Sequence, residues 1–225
     1  MRKLGSVLIV AALLAVMSST AGAWVTPVFV GDGVPLIGIG GILDQLYGLG
    51  NVARVDDGPF PGDMAWEALA GAGAEAQARY AGNTNTLGYF VGSSGAAAFN
   101  PLFTVAGGQG FLFGAPSAVI PIMPAFRWGL RSVDNSLTPD TWSSRQGENA
   151  GRLDHMVSYR ITGGADAGDY VIGWEDLPGD AWDQDYNDLV VQVHAVNPIP
   201  EPATLALLGM GLASAGLLGG RRRKK

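Results

Sequence analysis

Residues 156–196 read MVSYRITGGADAGDYVIGWEDLPGDAWDQDYNDLVVQVHAV, and this stretch decides the fold. Val157, Tyr159 and Ile161 alternate with Ser158, Arg160 and Thr162, and the runs Tyr170–Glu175 and Leu189–Val196 repeat the rhythm. A period of two is that of a strand, whose successive side chains point to opposite faces. The three runs therefore predict short antiparallel strands, the last two joined as a hairpin by an acidic loop. Upstream, Phe126, Trp128 and Leu130 alternate with Arg127 and Arg131, which places the arginines on a polar face. Ala74, Ala76, Ala78 and Tyr80 alternate with Glu75, Gln77 and Arg79. The turn Gly82-Asn83-Thr84-Asn85 and the run Leu87 to Val91 then complete an expected hairpin. The alanines of 64–78 also suit a helix, but Gly71 and Gly73 each cost one about 1 kcal/mol, which favours strand. The polar stretch 132–151 reads as a loop. One helix is expected, Ile42–Tyr47, because Ile42, Leu43, Leu46 and Tyr47 share a face and Gly48 can end it. So many short strands predict a mainly β body over 24–197, an antiparallel β-sandwich of two sheets.

The 225 residues are 48% hydrophobic with 34 Gly and 13 Pro, enough for one ordered domain with tails. The absence of Cys excludes thiol catalysis, disulfides, zinc-thiolate and iron–sulfur sites. Between Trp24 and Pro202 there are seven Arg, no Lys and twenty acidic residues, a net charge of −13. A nucleic-acid partner, whose phosphates need cations, is thereby excluded.

Both ends read as addresses. Arg2 and Lys3, the apolar run Val7 to Val16 and the small residues Ala21-Gly22-Ala23 ahead of Trp24 form a secretory signal over 1–23. Ala21 and Ala23 are the expected cleavage determinants for signal peptidase. At the other end, Pro198-Ile199-Pro200-Glu201-Pro202 forms an extended neck ahead of the uncharged segment 203–220. Arg221, Arg222, Arg223, Lys224 and Lys225 follow. As a helix that segment reaches about 27 Å, just short of a hydrocarbon core of about 30 Å, so that it spans barely. Its basic end marks the cytoplasmic side and leaves the acidic body outside. Gly209, Gly211, Gly216, Gly219 and Gly220 make it slim, which suits docking against another membrane protein.

Pro200-Glu201-Pro202, the glycine-rich span and the basic cluster of residues 198–225 resemble the PEP-CTERM sorting signal of exopolysaccharide-producing Gram-negative bacteria. The resemblance implies that an exosortase, a membrane-embedded cysteine protease, acts near Pro200-Glu201-Pro202. It would remove the span and leave the body in the envelope or the extracellular matrix.

The chemistry-bearing candidate is the loop of the last hairpin. Six carboxylates fall between Glu175 and Asp188 with no Lys or Arg among them. Unit charges about 4 Å apart repel by about 1 kcal/mol in water and by several times that near a protein surface. A divalent cation would offset this. Asp183-x-Asp185-x-Asn187 has the one, three, five spacing that aims oxygens at a common point in calcium loops. Asp188 and His194 stand where an EF-hand has Gly and Glu, so the helix-flanked version is rejected. An oxygen-only site of Asp183, Asp185, Asn187 and Asp188, closed by Asp176 with Glu175 or Asp180 in reserve, is the expectation. With only His155 and His194 for nitrogen, calcium fits better than zinc or copper. The competing reading is a solvated acidic turn capped by Asx hydrogen bonds.

This loop, with Asp154-His155-Met156-Val157 and Ala81-Gly82-Asn83-Thr84-Asn85, resembles a bacterial domain of unknown function often found in secreted proteins. Its core is W-E-D-L followed by D-x-D-[FY]-N-D-L-V-V. The resemblance covers 82–193, with Trp174, Glu175, Asp176 and Leu177 matching the first half of the core. Asp183, Asp185, Asn187 and Asp188 match the second, and many members carry Arg where this chain has Gln184. It implies a β-rich extracellular module.

Other signals carry less. Gly38-x-Gly40-Gly41 and Gly108-x-Gly110 lack the third glycine of a nucleotide fingerprint. Ser93 and Ser94 make no nucleophile elbow. His155 reads as packed or solvent-facing, and Trp174 and Trp182 read as core before sugar platforms. The expected function is a non-enzymatic cell-surface or exopolysaccharide-matrix module, calcium-stabilised, with extracellular polysaccharide as a candidate partner. The rivals are a glycan-active enzyme using two of Glu175, Asp176 and Asp185, and a structural surface protein without metal.

Overall fold

The computed structural model describes residues 34–55, 65–134, 138–179, 181 and 183–199. The signal segment 1–23, the span 203–220, Pro200-Glu201-Pro202, the basic tail, Asp180 and Trp182 lie outside the described residues. Among those described, no helix is long and apolar enough to cross a membrane.

The chain is mainly β and antiparallel. Helix α1 (Ile42–Tyr47) precedes β1 (Val52–Arg54), β2 (Trp66–Ala81), β3 (Thr84–Val91), β4 (Phe99–Val105), β5 (Gly108–Phe111) and β6 (Ser117–Val119). Then come β7 (Met123–Val133), β8 (Pro139–Ser143), two 3-10 turns, β9 (Met156–Ile161), β10 (Tyr170–Trp174) and β11 (Leu189–Pro198). The helix and the three C-terminal strands fall where the periodicity places them, and β10 pairs with β11 as the expected hairpin.

The eleven strands form one hydrogen-bonded network, ordered β1-β9-β10-β11-β2-β7-β3-β4, with β5 and β6 on β2 and β8 on β7. This corrects the expectation of two separate sheets. The network turns a corner along β2 and β11. Ala68 faces Val196 and Gly73 faces His194, so five steps along β2 oppose two along β11. Gly71 (φ 83°) and Ala195 (φ 51°) take left-handed backbone at this bulge, the device by which a strand pair passes from one layer to the next. In a flat sheet β8 and β9 would be separated by at least three strand spacings, about 14 Å. Instead Trp142 of β8 stacks on His155, just ahead of β9, with centroids 3.9 Å apart and planes 6° from parallel. The two wings therefore face each other, and Trp66, Phe126, Trp128, Met156, Ile172 and Trp174 belong to one core between them.

A second apolar cluster explains why β9 and β10 are buried on both faces. Leu36, Ile42 and Leu43 of α1 and the segment before it pack with Val157, Tyr159, Ile161 and Val171. Ser158, expected on a wet face, is fully buried.

Four further expectations change. β2 and β3 are consecutive but make no ladder with each other, since β2 pairs with β11, β5, β6 and β7, and β3 with β4 and β7. The polar stretch after Ser132 contains β8, an edge strand whose partner is β7. Arg127 is buried, its Nε 2.9 Å from Glu148 Oε2 and its guanidinium 5.4 Å from the Phe90 ring centre. The neck is also shorter than expected, because Pro198 pairs with Trp66 and the Ile199 N–H donates to the Ala65 carbonyl at 2.7 Å.

Candidate metal centre

The β10–β11 loop is folded by its own backbone. Gln184 (φ 66°) and Tyr186 (φ 56°) are left-handed on either side of Asp185. A bulky residue in that region costs about 1–2 kcal/mol and persists only where its surroundings hold it. Tyr186 is fully buried and its hydroxyl donates to the Asp154 carbonyl at 2.8 Å. With the loop wound this way, Glu175, Asp176, Asp185, Asn187 and Asp188 are all buried, and Asp183 is half-buried.

Backbone and amide donors orient the carboxylates. Leu177 and Gln184 N–H groups donate to the two Glu175 oxygens at 3.2 and 3.1 Å. Asn83 and Asn85 amides donate to Asp176 Oδ1 and Oδ2 at 3.2 and 2.6 Å, and the Asp176 N–H donates to Asp188 Oδ2 at 2.7 Å. Asn187 donates to Asp185 through its backbone at 3.2 Å and its Nδ2 at 2.8 Å, and through Nδ2 to the Val34 carbonyl at 3.3 Å. The backbone contact is an Asx hydrogen bond of the kind the competing reading of a capped acidic turn predicts. The centre thus ties together the β10–β11 loop, the β2–β3 connection with the start of β3, and the segment before α1.

Two carboxylate groups result. Glu175, Asp183 and Asp185 can each offer one oxygen within 4.8 Å of the others, and so can Glu175, Asp176 and Asp188. The spacing argument made Asp176 the partner of Asp183 and Asp185, with Glu175 in reserve. In the structure Glu175 joins both groups, and Asp176 sits in the second. Asp183 Oδ1, Asn187 Oδ1 and Asn85 Oδ1 are buried without a hydrogen-bond partner. His194, by contrast, is exposed on β11.

The electrostatics match an unneutralised cluster. Burial, with contact to Asp183 and the charge of Asp188 added, pushes the Glu175 carboxyl well above the ordinary range. Burial and then the Asp176 charge raise Asp188 likewise. Burial raises Asp176 too, against the amides of Asn85 and Asn83, which favour its anion. His155 is fully buried and held neutral, its pKa lowered to about 4 by burial. Its Nδ1 lies 2.9 Å from the Glu175 carbonyl, which can only accept, so Nδ1 carries the proton. The ring that stacks on Trp142 therefore positions Glu175. Sequence reasoning missed Asn83, Asn85 and His155 in these roles, although the dipeptide-level signal for all three lay in segments already singled out.

Gly173 of β10 sits behind the loop. A Cβ there would meet the Tyr186 carbonyl oxygen at 2.6 Å and Leu36 Cδ2 at 2.9 Å. Gly173→Ala is expected to lower stability by about 1–3 kcal/mol, as overpacking against backbone does, read from urea unfolding.

Fold and centre together define an antiparallel β domain built around a buried carboxylate cluster. Residues 198–224 match the PEP-CTERM protein-sorting motif, and residues 129–196 match a domain of unknown function, DUF4114. The chain thus carries the signal of an exported protein whose membrane-anchored precursor is processed by exosortase. The domain match contains every carboxylate of the centre but begins at Gly129, so Asn83 and Asn85 are contributed from outside it. No curated protein matches the chain.

Proposed function

We propose that this protein is a non-enzymatic surface or exopolysaccharide-matrix module whose β domain is locked by calcium at the β10–β11 loop. The sorted body would act as a binding or scaffold unit once exosortase has released it. The observation that carries the reading is the convergence of Glu175, Asp176, Asp183, Asp185 and Asp188 with buried, unpartnered oxygens of Asn85 and Asn187. All are hard oxygen donors, the set calcium takes six to eight of at about 2.3–2.6 Å. The ion would neutralise the cluster and cross-link three segments distant in sequence. Burial supports the non-catalytic reading, since Glu175, Asp176 and Asp185 are at most 2% exposed and a glycosidic oxygen needs contact with its acid and base.

Thermal unfolding of the exported chain tests this. At calcium a hundredfold above Kd the native state gains about 2.7 kcal/mol, which for a domain of this size is a rise of about 5–10 °C over the chelated protein. An unchanged midpoint would overturn the reading.

A further inference from the structure

We propose that the centre holds two divalent cations, one in each carboxylate group, with Glu175 as the carboxylate shared between them. This rests on the calcium reading above and deepens it. The two groups have only Glu175 in common: Asp183 and Asp185 complete the first, Asp176 and Asp188 the second. The Glu175 carboxylate is fixed for such a role, because separate N–H groups, of Leu177 and of Gln184, hold its two oxygens.

Each side also has its own buried amide oxygen without a partner. Asn187 donates Nδ2 to Asp185 and leaves Oδ1 unpartnered, and Asn85 donates Nδ2 to Asp176 and leaves Oδ1 unpartnered. Both residues are at most 2% exposed, so solvent does not satisfy those oxygens. An orphaned buried carbonyl costs about 1–3 kcal/mol, and here there are two, each on the side chain whose amide holds a carboxylate of one group, which points to two cations rather than one. Charge balance points the same way. Five buried or half-buried carboxylates around one divalent ion leave −3, whereas two ions leave −1. Ions bridged in this way stand about 3.5–4 Å apart in two-metal sites, a separation that a single shared carboxylate sets.

The test is calcium stoichiometry, measured by equilibrium dialysis on the full chain in mild detergent after chelation. Two ions per chain are expected. One ion would overturn the shared-carboxylate arrangement and leave the calcium reading standing; none would overturn both. Asp183→Asn at the half-buried edge is expected to lower the count from two to one, with the circular dichroism spectrum unchanged. Retention of both ions in that variant would also overturn the assignment.

Discussion

Asp188→Asn is expected to raise the melting temperature in chelator and to lower it in calcium. The substitution keeps shape and keeps an oxygen for the Asp176 N–H, which Asp188 Oδ2 accepts at 2.7 Å. What it removes is a carboxyl that is buried beside Asp176 and that burial drives away from its charged form. Without a cation the native state must either protonate this group or tolerate like charges in a low-dielectric site, and the asparagine does neither. The expected gain is about 2–4 kcal/mol, since an uncompensated buried charge costs several kcal/mol. For a domain of this length that is about 5–15 °C. In saturating calcium the sign reverses, because the variant loses an anionic ligand and with it affinity for the ion. Differential scanning calorimetry under the two conditions reads both shifts. Destabilisation in chelator as large as in calcium would mean that the carboxylate is paired within the protein itself, and the cation account would fail.

The same residues show how much could be read before the fold was known. α1, β9, β10 and β11 were legible because their signal is local: an apolar face at helical spacing, or strict alternation. The pairing of β2 with β11 was not, because Gly82-Asn83 carries the composition of a hairpin turn whether or not the strands beside it meet. Here both edges of β2 are taken by strands far away in sequence, and the corner at Gly71 and Ala195 sends the chain into the other wing. β8 escaped because Pro139-Asp140-Thr141 is exposed and polar, and only β7 makes it a strand. Arg127 looked solvent-facing because a guanidinium on a strand usually is; Glu148, twenty-one residues later, is what permits its burial.

The centre divides along the same line. Asp183-x-Asp185-x-Asn187 was readable as a spacing, since adjacent side chains on one loop need no tertiary information. The rank of Glu175 over Asp176 depended on which face of the strand exit the loop folds across, and left-handed Gln184 and Tyr186 decide that. Neither residue is a type that advertises positive φ. The amides that hold Asp176 come from the β2–β3 connection and the start of β3, and the carbonyl behind Glu175 is reached by His155, whose ring stacks on Trp142 of the facing wing.

Because these groups titrate in opposite senses, pH is expected to separate the cation-free protein from the calcium-bound one. Glu175, Asp176 and Asp188 all have their carboxyls raised by burial, so the cation-free native state holds protons that the unfolded chain releases above pH about 4. Where the native state binds more protons, stability falls as pH rises. Each proton so retained contributes a slope of about 1.4 kcal/mol per pH unit. His155 works against this below about pH 6.5, where the unfolded imidazole gains a proton. The buried ring refuses that proton down to about pH 4. The cation-free protein should therefore gain stability from about pH 8 down to about 6.5 and gain more slowly, or level off, below that. With calcium the ligands are deprotonated in the native state as they are in the unfolded chain, so above about pH 6.5 stability is nearly independent of pH, and the increment conferred by the ion over the cation-free protein is largest at the alkaline end. Urea unfolding at stepped pH gives a curve that falls with pH in chelator and one that is nearly flat in calcium above pH about 6.5. Parallel curves would show that the carboxylates are ionised in the native state without a cation, and the stabilising partner would then have to be found within the chain.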